Sequence, residues 1–313
     1  MLSAPDQLLR RLEWRLGRRL DGHLQGAYRS LWHGAGLDFT DLRPYTLQDD
    51  VRHIDWNVTA RLDEPHVRQY TQERDITAWL VVDRSASMRV GRTPKGGRGP
   101  GQGKEVLATE LAVLMARLLS GDGNRIGAVL FDNAERKVIP PRTGRQQILR
   151  ITGELLRPAK PSTGKRPRGK SAEPGTDLGG MLRLAASTAR RRSLILVVSD
   201  FIGDPGWDLP LGTLAQRHEV AVIRVVDPAE LEIPDLGTIV VQDAETGEQL
   251  LVDTGDPLLR SRLAQQVAER ESALAGAFNR AGVTAHRIST DQDLVAAFIA
   301  LVGKSSRVGT HRR

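Results

Sequence analysis

Short apolar runs alternate with helix-like stretches along most of this chain, and this alternation constrains the fold more than any other feature. The runs are almost entirely apolar, which is typical of strands buried on both faces of a sheet. They lie at residues 76–82, 126–131, 194–198 and 220–226. The helix-like patterns between them cover residues 105–119, 145–156, 178–189 and 209–217. This order predicts an α/β fold, namely a doubly wound, mainly parallel sheet with helices on both faces.

The last third of the chain continues the pattern. We expect five further elements: a hairpin-like pair of strands at 238–242 and 249–253, a long helix from 257 to about 281, a strand at 283–288 and a helix at 291–302. The sheet domain is therefore predicted to cover residues 74–303, followed by a basic tail over 304–313.

The segment before the sheet has a different texture. Leucines at helical spacing, with arginines between them, predict an amphipathic helix over residues 5–20. Residues 22–72 are rich in Gly, Asp and Arg with scattered aromatic residues, which indicates loops and short strands. We assign residues 1–73 to a small, loop-rich N-terminal region.

The net charge of +7 comes from 45 Lys and Arg against 38 Asp and Glu, and its distribution matters more than its total. Three segments without any acidic residue, 92–104, 157–170 and 304–313, hold 14 of the basic residues. They contain almost no large apolar side chains, so we expect two mobile loops and a tail. A nucleic-acid-binding or acidic-partner arm is the alternative, but it lacks aromatic residues for base stacking. We therefore do not expect nucleic-acid binding.

The chain contains no Cys, which excludes disulfides, thiolate zinc sites and a Cys nucleophile. No stretch approaches the roughly 20 apolar residues of a membrane span, and the first 20 residues lack the apolar core of a signal peptide. We therefore expect no membrane span and a cytoplasmic protein.

Oxygen-bearing side chains follow the predicted strands. Asp83, Ser85 and Ser87 come directly after the first run in a D-x-S-x-S pattern, Asp200 follows the run at 194–198, and Thr176 precedes the helix-like stretch at 178–189. Because ligands bind at the carboxyl ends of strands in open α/β sheets, these five side chains are expected to converge. Two carboxylates and three hydroxyls suit a hard divalent cation, Mg²⁺ or else Mn²⁺ or Ca²⁺. A helix-capping role for the two serines is the simpler alternative.

A cation held by only two carboxylates can keep a coordination position for water. An acidic residue of a protein partner could displace that water, so the cation would bridge two proteins. The sequence thus predicts a metal-dependent protein-binding site.

The D-x-S-x-S pattern, with a distant Thr and a distant Asp, resembles the metal-ion-dependent adhesion site of the von Willebrand factor A domain. The resemblance covers roughly residues 75–300. It implies that the hydroxyls of Ser85 and Ser87 coordinate the cation directly. It also implies that Thr176 binds directly or through water, and that Asp83 and Asp200 act largely through water.

A second resemblance lies in residues 42–61, which are similar to the R-x-Y-x-x-G-D-D-x-R-x-I-D-W-x-x-x-A-R signature of the MoxR-associated domain-of-unknown-function family fifty-eight. Gln48 stands where that family usually has Gly. The matching residues are Arg43, Tyr45, Asp49, Asp50, Arg52, Asp55, Trp56 and Arg61. The resemblance implies a non-enzymatic partner of a MoxR-type AAA+ ATPase that works in chaperone-like protein maturation or complex assembly.

The signature also permits a physical interpretation of its own. Interleaved Asp and Arg residues can form rigid, bidentate ion pairs, which would clamp this segment to the sheet domain. A protein-docking surface is the alternative. His53 and His66 are expected to be ordinary polar residues.

An enzyme is the other class to consider, because Asp83 at a strand end and the acidic pair Asp200 and Asp204 resemble a phosphohydrolase of the haloacid dehalogenase type. That chemistry needs a second carboxylate two residues after the nucleophile as general acid and base. Ser85 occupies this position, and a hydroxyl cannot do that work. We therefore predict that the protein is not an enzyme.

Overall fold

A computed structural model describes residues 3–17, 41–46, 56–62, 64–69, 76–89, 103–120, 123–132, 135–158, 176–232, 235–242 and 249–300. Contacts divide the chain into two units. The smaller unit is Gly34–Ile76, and the larger combines Met1–His33 with Thr77–Arg313.

The larger unit begins with helix α1 (Ala4–Gly17), which belongs to the predicted amphipathic helix. The smaller unit contains β1 (Asp41–Pro44), α2 (Trp56–Leu62) and β2 (His66–Gln69), with the two strands paired antiparallel. Thr59 Oγ1 accepts a hydrogen bond from the backbone N of His66 at 3.1 Å, so α2 is tied to β2.

The other strands belong to the larger unit: β3 (Thr77–Asp83), β4 (Arg125–Phe131), β5 (Arg136–Arg142), β6 (Leu194–Ser199), β7 (Glu219–Val226), β8 (Thr238–Gln242), β9 (Gln249–Asp253) and β10 (Ala285–Ser289). Six of them form one sheet in the order β10-β7-β6-β3-β4-β5. All neighbours in this sheet are parallel except β5, which pairs antiparallel with β4 at the edge.

The helices of the larger unit are α3 (Ala86–Arg89), α4 (Lys104–Ser120), α5 (Arg145–Leu155), α6 (Leu178–Thr188), α7 (Asp208–Arg217) and α8 (Pro257–Ala281), and residues 294–300 are also helical. Helices α6, α7 and α8 share one apolar core with alternate residues of β3, including Trp79 and Val81. The other alternate residues of β3, Leu80 and Val82, are also buried. Helices α1, α4 and α5 pack on one another in the second helical layer.

The predicted fold class is confirmed, because the sheet is mainly parallel and has helical layers on both faces. The apolar runs became strands since a strand between two helical layers must bury both of its faces. One strand, β5, was not predicted. Its Pro140 and Pro141 resemble a turn in the sequence, and proline in a strand is tolerated at a sheet edge, where β5 lies.

Strand order reverses at β3. From β3 the chain moves outward to β4 on one side, and it later returns to place β6 on the other side. In doubly wound sheets this reversal opens a crevice at the carboxyl ends of the two central strands.

The hairpin of β8 and β9 is anchored at its base, and several of its apolar side chains are exposed. Leu250 and Leu251 are 68% and 69% exposed, and Val240 is 61% exposed. The buried Thr254 holds the base, because its Oγ1 accepts from the backbone N of Leu236 at 2.8 Å and donates to the carbonyl of Gly237 at 2.7 Å.

Within the described ranges, no helix combines the length and the apolar character needed to cross a membrane. The division of the chain at residues 73 and 303 stays a prediction. Contacts group α1 with the sheet, since this helix packs on α4 and α5.

Helix α1 is held to the sheet unit by leucines and by one buried carboxylate. Leu9 and Leu12 are almost fully buried. Glu110 of α4, also buried, accepts a hydrogen bond from Nη2 of Arg11 at 2.5 Å. Burial raises the pKa of Glu110, against the opposing effect of Arg11 and Arg15.

Leu9→Ala should lower the free energy of unfolding by about 2–5 kcal/mol, because it leaves a cavity beneath α1. Arg10→Ala is the matched control on the same helix. The side chain of Arg10 is 62% exposed and pairs with Asp6, so its loss should cost less than about 1 kcal/mol. Urea unfolding measures both changes, and equal stability of the two variants would contradict the packing of α1.

Candidate functional site

The two carboxylates predicted for the site lie at the ends of neighbouring central strands. Asp83 is the last residue of β3, and Asp200 directly follows β6. Both side chains are buried. The reversal of strand order therefore brings them together in a low-dielectric crevice, where the charge of Asp200 opposes the ionisation of Asp83.

Both oxygens of Asp83 are held by hydrogen bonds. Oδ1 accepts from the backbone N of Ser85 at 2.9 Å, and Oδ2 accepts from Oγ of Ser199 at 2.6 Å. Ser199, the last residue of β6, was not among the predicted site residues, and its contact with Asp83 spans 116 residues of chain. Its only sequence signal was its place before Asp200 at a strand end.

The two serines of the D-x-S-x-S pattern face each other. Oγ of Ser85 and Oγ of Ser87 are 3.0 Å apart, and both residues are buried. Arginines fix the turn that carries them: the backbone N of Arg84 donates to the carbonyl of Phe131 at 2.7 Å, and Arg89 donates to the carbonyl of Arg84 at 2.9 Å. The turn is therefore preorganised, with two hydroxyls close to Asp83.

The turn after β6 is locally strained. Phe201 has a φ of 57°, in the left-handed region that residues with a side chain seldom adopt. Its ring packs on Trp207 and Phe278, with centroid distances of 4.8 and 4.9 Å. The turn also directs the backbone N of Ile202 to Oδ1 of Asp200 at 2.9 Å. Aromatic packing thus offsets the strain and fixes the orientation of Asp200.

Thr176 reaches the same turn through its backbone. Its carbonyl accepts from the backbone N of Asp204 at 3.0 Å, and its side chain is buried. A Cβ at Gly203 would lie only 2.4 Å from this carbonyl, so the close approach of the two turns requires glycine there. The loops of Thr176 and Asp200 are therefore neighbours, as the sequence predicts.

Lys104 is the residue that sequence reasoning assigned wrongly. It was counted with the solvated basic segment 92–104, but it is the first residue of α4 and its side chain is fully buried. Nζ donates to Oδ2 of Asp200 at 2.7 Å and also contacts Oε1 of Glu230. In the basic segment 157–170, Arg157 is exposed and pairs with Glu154 at 3.1 Å. Most of the segments 92–104 and 157–170, and the whole tail 304–313, lie outside the described residues.

A second basic residue supports the turn from β7. Nε of Arg224 donates to the carbonyl of Asp200 at 3.3 Å, and the guanidinium forms two bonds with Glu271 of α8 at 2.6 and 2.5 Å. These bonds hold the pKa of Glu271 below its ordinary value. The turn is thereby tied to α8.

Electrostatics favour a cation at this place. Burial, and then the charge of Asp200, raise the pKa of Asp83 to about 6, although hydrogen bonds from Ser199 and Ser85 oppose the shift. An added positive charge would favour the ionised carboxylate and so oppose both effects. Within the described residues no group of three or more His, Cys, Asp or Glu is suited to a metal, so any cation here relies on hydroxyls as well as on the two carboxylates.

The signature segment is only partly described. Asp49, Asp50, Arg52 and Asp55 lie outside the described residues, as do Gln48 and His53, so the predicted ion-pair clamp stays a prediction.

The structure describes the backbone of the other residues that match the signature. The backbone of Arg43 lies in β1, and the backbone N of Tyr45 donates to the carbonyl of Pro65 at 2.7 Å. Trp56 is 69% exposed, and Arg61 is also exposed. Nδ1 of His66 donates to the carbonyl of Glu64 at 2.8 Å, as expected of an ordinary polar residue.

Fold and site together define an α/β protein with a buried oxygen cluster at the reversal of its sheet. A family model, described as "Protein of unknown function DUF58", matches residues 41–273. The chain belongs to this family, which confirms the resemblance of the signature segment.

Two mycobacterial relatives match most of the chain. Uncharacterized protein Rv1480 of Mycobacterium tuberculosis and uncharacterized protein Mb1516 of Mycobacterium bovis are each 36% identical over 96% of this chain and 89% of their own length. Among solved structures, BatB from Bacteroides thetaiotaomicron is similar over 74% of this chain and 99% of its own, with a TM-score of 0.43 and 16% identity. The SpRpn10 VWA domain is similar over 74% and 95%, with a TM-score of 0.37 and 13% identity.

Asp83→Asn should stabilise the protein at alkaline pH when a chelator is present. Because the pKa of Asp83 in the folded state, about 6, exceeds its ordinary value of 3.8, ionisation removes stability as pH rises from about 4 to about 6. The variant escapes this loss, which is at most on the order of 3 kcal/mol. Urea unfolding should therefore show a more stable variant at pH 8 and nearly equal proteins at pH 4.

Asp208→Asn provides a control of opposite sign. A hydrogen bond from Arg280 at 2.8 Å lowers the pKa of Asp208, so this ionised carboxylate contributes stability above its unfolded pKa. The variant should be less stable than the wild type at pH 8, and the difference should shrink on acidification. A gap between wild type and Asp83→Asn that does not change with pH would contradict the buried, ionised Asp83.

Proposed function

We propose that this protein is a non-enzymatic protein-interaction module whose crevice at the ends of β3 and β6 holds a divalent cation. Mg²⁺ is the preferred candidate, with Mn²⁺ or Ca²⁺ as substitutes. The residues proposed to hold it are Asp83, Ser85, Ser87, Thr176 and Asp200. The observation that carries the proposal is the buried cluster of carboxylate and hydroxyl oxygens, in which burial and a like charge oppose the ionisation of Asp83.

The donor set fits a hard cation better than a soft one. Its oxygens come from carboxylates and hydroxyls, which are the ligand types that Mg²⁺ and Ca²⁺ prefer. The hydrogen bonds from Ser85 N and Ser199 Oγ keep the carboxylate of Asp83 oriented, as groups behind a metal ligand commonly do. A bound cation would supply a positive charge to which an acidic residue of a protein partner can attach.

The proposed partner is a MoxR-type AAA+ ATPase, and the proposed role is chaperone-like maturation or assembly of other proteins in the cytoplasm. This part of the proposal rests on the resemblance of residues 42–61 to the family signature. The exposed Trp56 of that segment offers an aromatic side chain of the kind enriched at protein interfaces.

A phosphohydrolase is less well supported by the same geometry. Ser85 stands two residues after Asp83, where such an enzyme needs a second carboxylate. Its hydroxyl contacts Ser87, and its backbone N donates to Asp83. Both contacts serve to build the turn, and neither supplies an acid for proton transfer.

Mg²⁺ or Mn²⁺ should raise the unfolding temperature of the wild type but not of Asp83→Ala. A ligand at about 100 times its dissociation constant stabilises the folded state by about 2.7 kcal/mol. Differential scanning calorimetry with and without cation measures the shift, with Asp208→Asn as a control that keeps the site. An equal response of wild type and Asp83→Ala would remove the cation from the proposal.

Capture of the purified MoxR-type ATPase should require the cation. We expect binding in Mg²⁺ to disappear with chelator and with Asp83→Ala, and to persist when Lys160, Lys165 and Arg166 are changed to Gln. The basic-segment alternative predicts the opposite pattern, with binding that weakens steeply as salt rises and does not depend on Asp83. Surface plasmon resonance on the full chain distinguishes the two. Capture that is unaffected by chelator would reject the bridging role.

A further inference from the structure

Lys104 places a full positive charge beside the candidate cation site. Its side chain is completely buried, and its ammonium donates to Oδ2 of Asp200 at 2.7 Å. The same ammonium contacts Oε1 of Glu230, whose side chain is 20% exposed. Lys104 therefore lies between two carboxylates, one inside the crevice and one at its margin.

This position is unfavourable for a lysine on two grounds. Lys104 is the first residue of α4, where the helix dipole disfavours a cation. Burial of an ammonium group is also costly unless carboxylates compensate it. Asp200 and Glu230 supply that compensation. The charge of Lys104, which interacts with both carboxylates, is therefore the property that matters for its role.

Both oxygens of Asp200 already accept a hydrogen bond. Oδ1 of Asp200 accepts from the backbone N of Ile202 at 2.9 Å, and Oδ2 accepts from Lys104. A divalent cation, or a water molecule that it carries, would have to share the carboxylate of Asp200 with the ammonium. Two positive charges in one buried crevice repel each other strongly, because the local dielectric is low.

We infer that Lys104 is an internal counter-ion of the candidate site, which competes with a divalent cation for Asp200 and turns to Glu230 when the cation binds. The inference rests on the proposed cation site. Glu230 lies in the short helical turn Pro228–Glu230, whose N-terminus is capped by Asp227 through a 3.0 Å bond to the backbone N of Ala229. The second carboxylate is therefore held in place and can retain the ammonium after Asp200 is released.

The inference predicts that Lys104 weakens cation binding. Isothermal titration calorimetry of the full chain with Mn²⁺, repeated with Mg²⁺, should give a dissociation constant at least tenfold lower for Lys104→Gln than for the wild type. Lys104→Arg keeps the charge and should bind within about twofold of the wild type. Arg117→Gln is the matched control, since it removes a positive charge from the same helix that pairs with Glu13 and not with Asp200; it should also stay within about twofold.

The role of Glu230 is tested by a double-mutant cycle. Glu230→Gln should weaken Mn²⁺ binding in the wild type, because the displaced ammonium loses its second carboxylate. In the Lys104→Gln background the same change should have less than half that effect on the logarithm of the dissociation constant. Equal effects in both backgrounds would mean that Glu230 acts on the cation without Lys104, and would overturn this part of the inference.

A measurement on the wild type guards against a variant that fails to fold. The Cε–Hε signal of Lys104 in a protein carrying ¹³C-labelled lysine, assigned by its absence in Lys104→Arg, should shift with Mg²⁺ and saturate together with the calorimetric signal. A signal that stays fixed while Mg²⁺ binds would overturn the inference.

The outcomes separate this inference from the proposed function. If wild type and Lys104→Gln bind Mn²⁺ equally well, Lys104 is no competitor and the cation site survives. If neither binds, both the site and the inference fail. If only Lys104→Gln binds, Lys104 is the competitor, and the cation role proposed for the wild type fails.

Discussion

The reversal of strand order between β3 and β6 is the constraint on which the other features of this protein depend. Parallel strands end at one edge of a sheet, so the residues that follow them share a small volume. Here that volume receives Asp83 from one strand and Asp200 from the next, both removed from water. The hydrogen bond from Ser199 to Asp83 at 2.6 Å links the two strand ends directly.

Burial of the two carboxylates has an electrostatic cost, which hydrogen bonds and basic side chains around them offset. Among the described residues, hydrogen-bond donors are what compensates Asp83, and its pKa rises to about 6 because burial and Asp200 outweigh them. Asp200 instead has the ammonium of Lys104, and its carbonyl receives Nε of Arg224. The crevice thus favours positive charge, of which Lys104 supplies a part and the proposed cation would supply more.

Much of the fold was predictable because its signals are local. Strand β3, strand β7 and helix α8 are each encoded by the period or length of an apolar pattern, and their observed ends lie close to the predicted ones. The D-x-S-x-S turn was equally visible, since its three residues are adjacent in the chain. Strand β5 was not predicted because its two prolines indicate a turn. Proline is tolerated in this strand since it lies at the edge of the sheet.

The sequence by itself determined the sheet class and the family, and it predicted the five oxygen-bearing residues of the candidate site, because periodicity and short motifs depend on neighbouring residues. Tertiary structure alone decided the partners of those residues. In the sequence, Lys104 looks like the other basic residues of a glycine-rich segment. Its contact with Asp200, 96 residues away, forms only when α4 packs against the sheet. Pairings over such separations depend on how helices and strands are arranged in space, and no local pattern contains that arrangement.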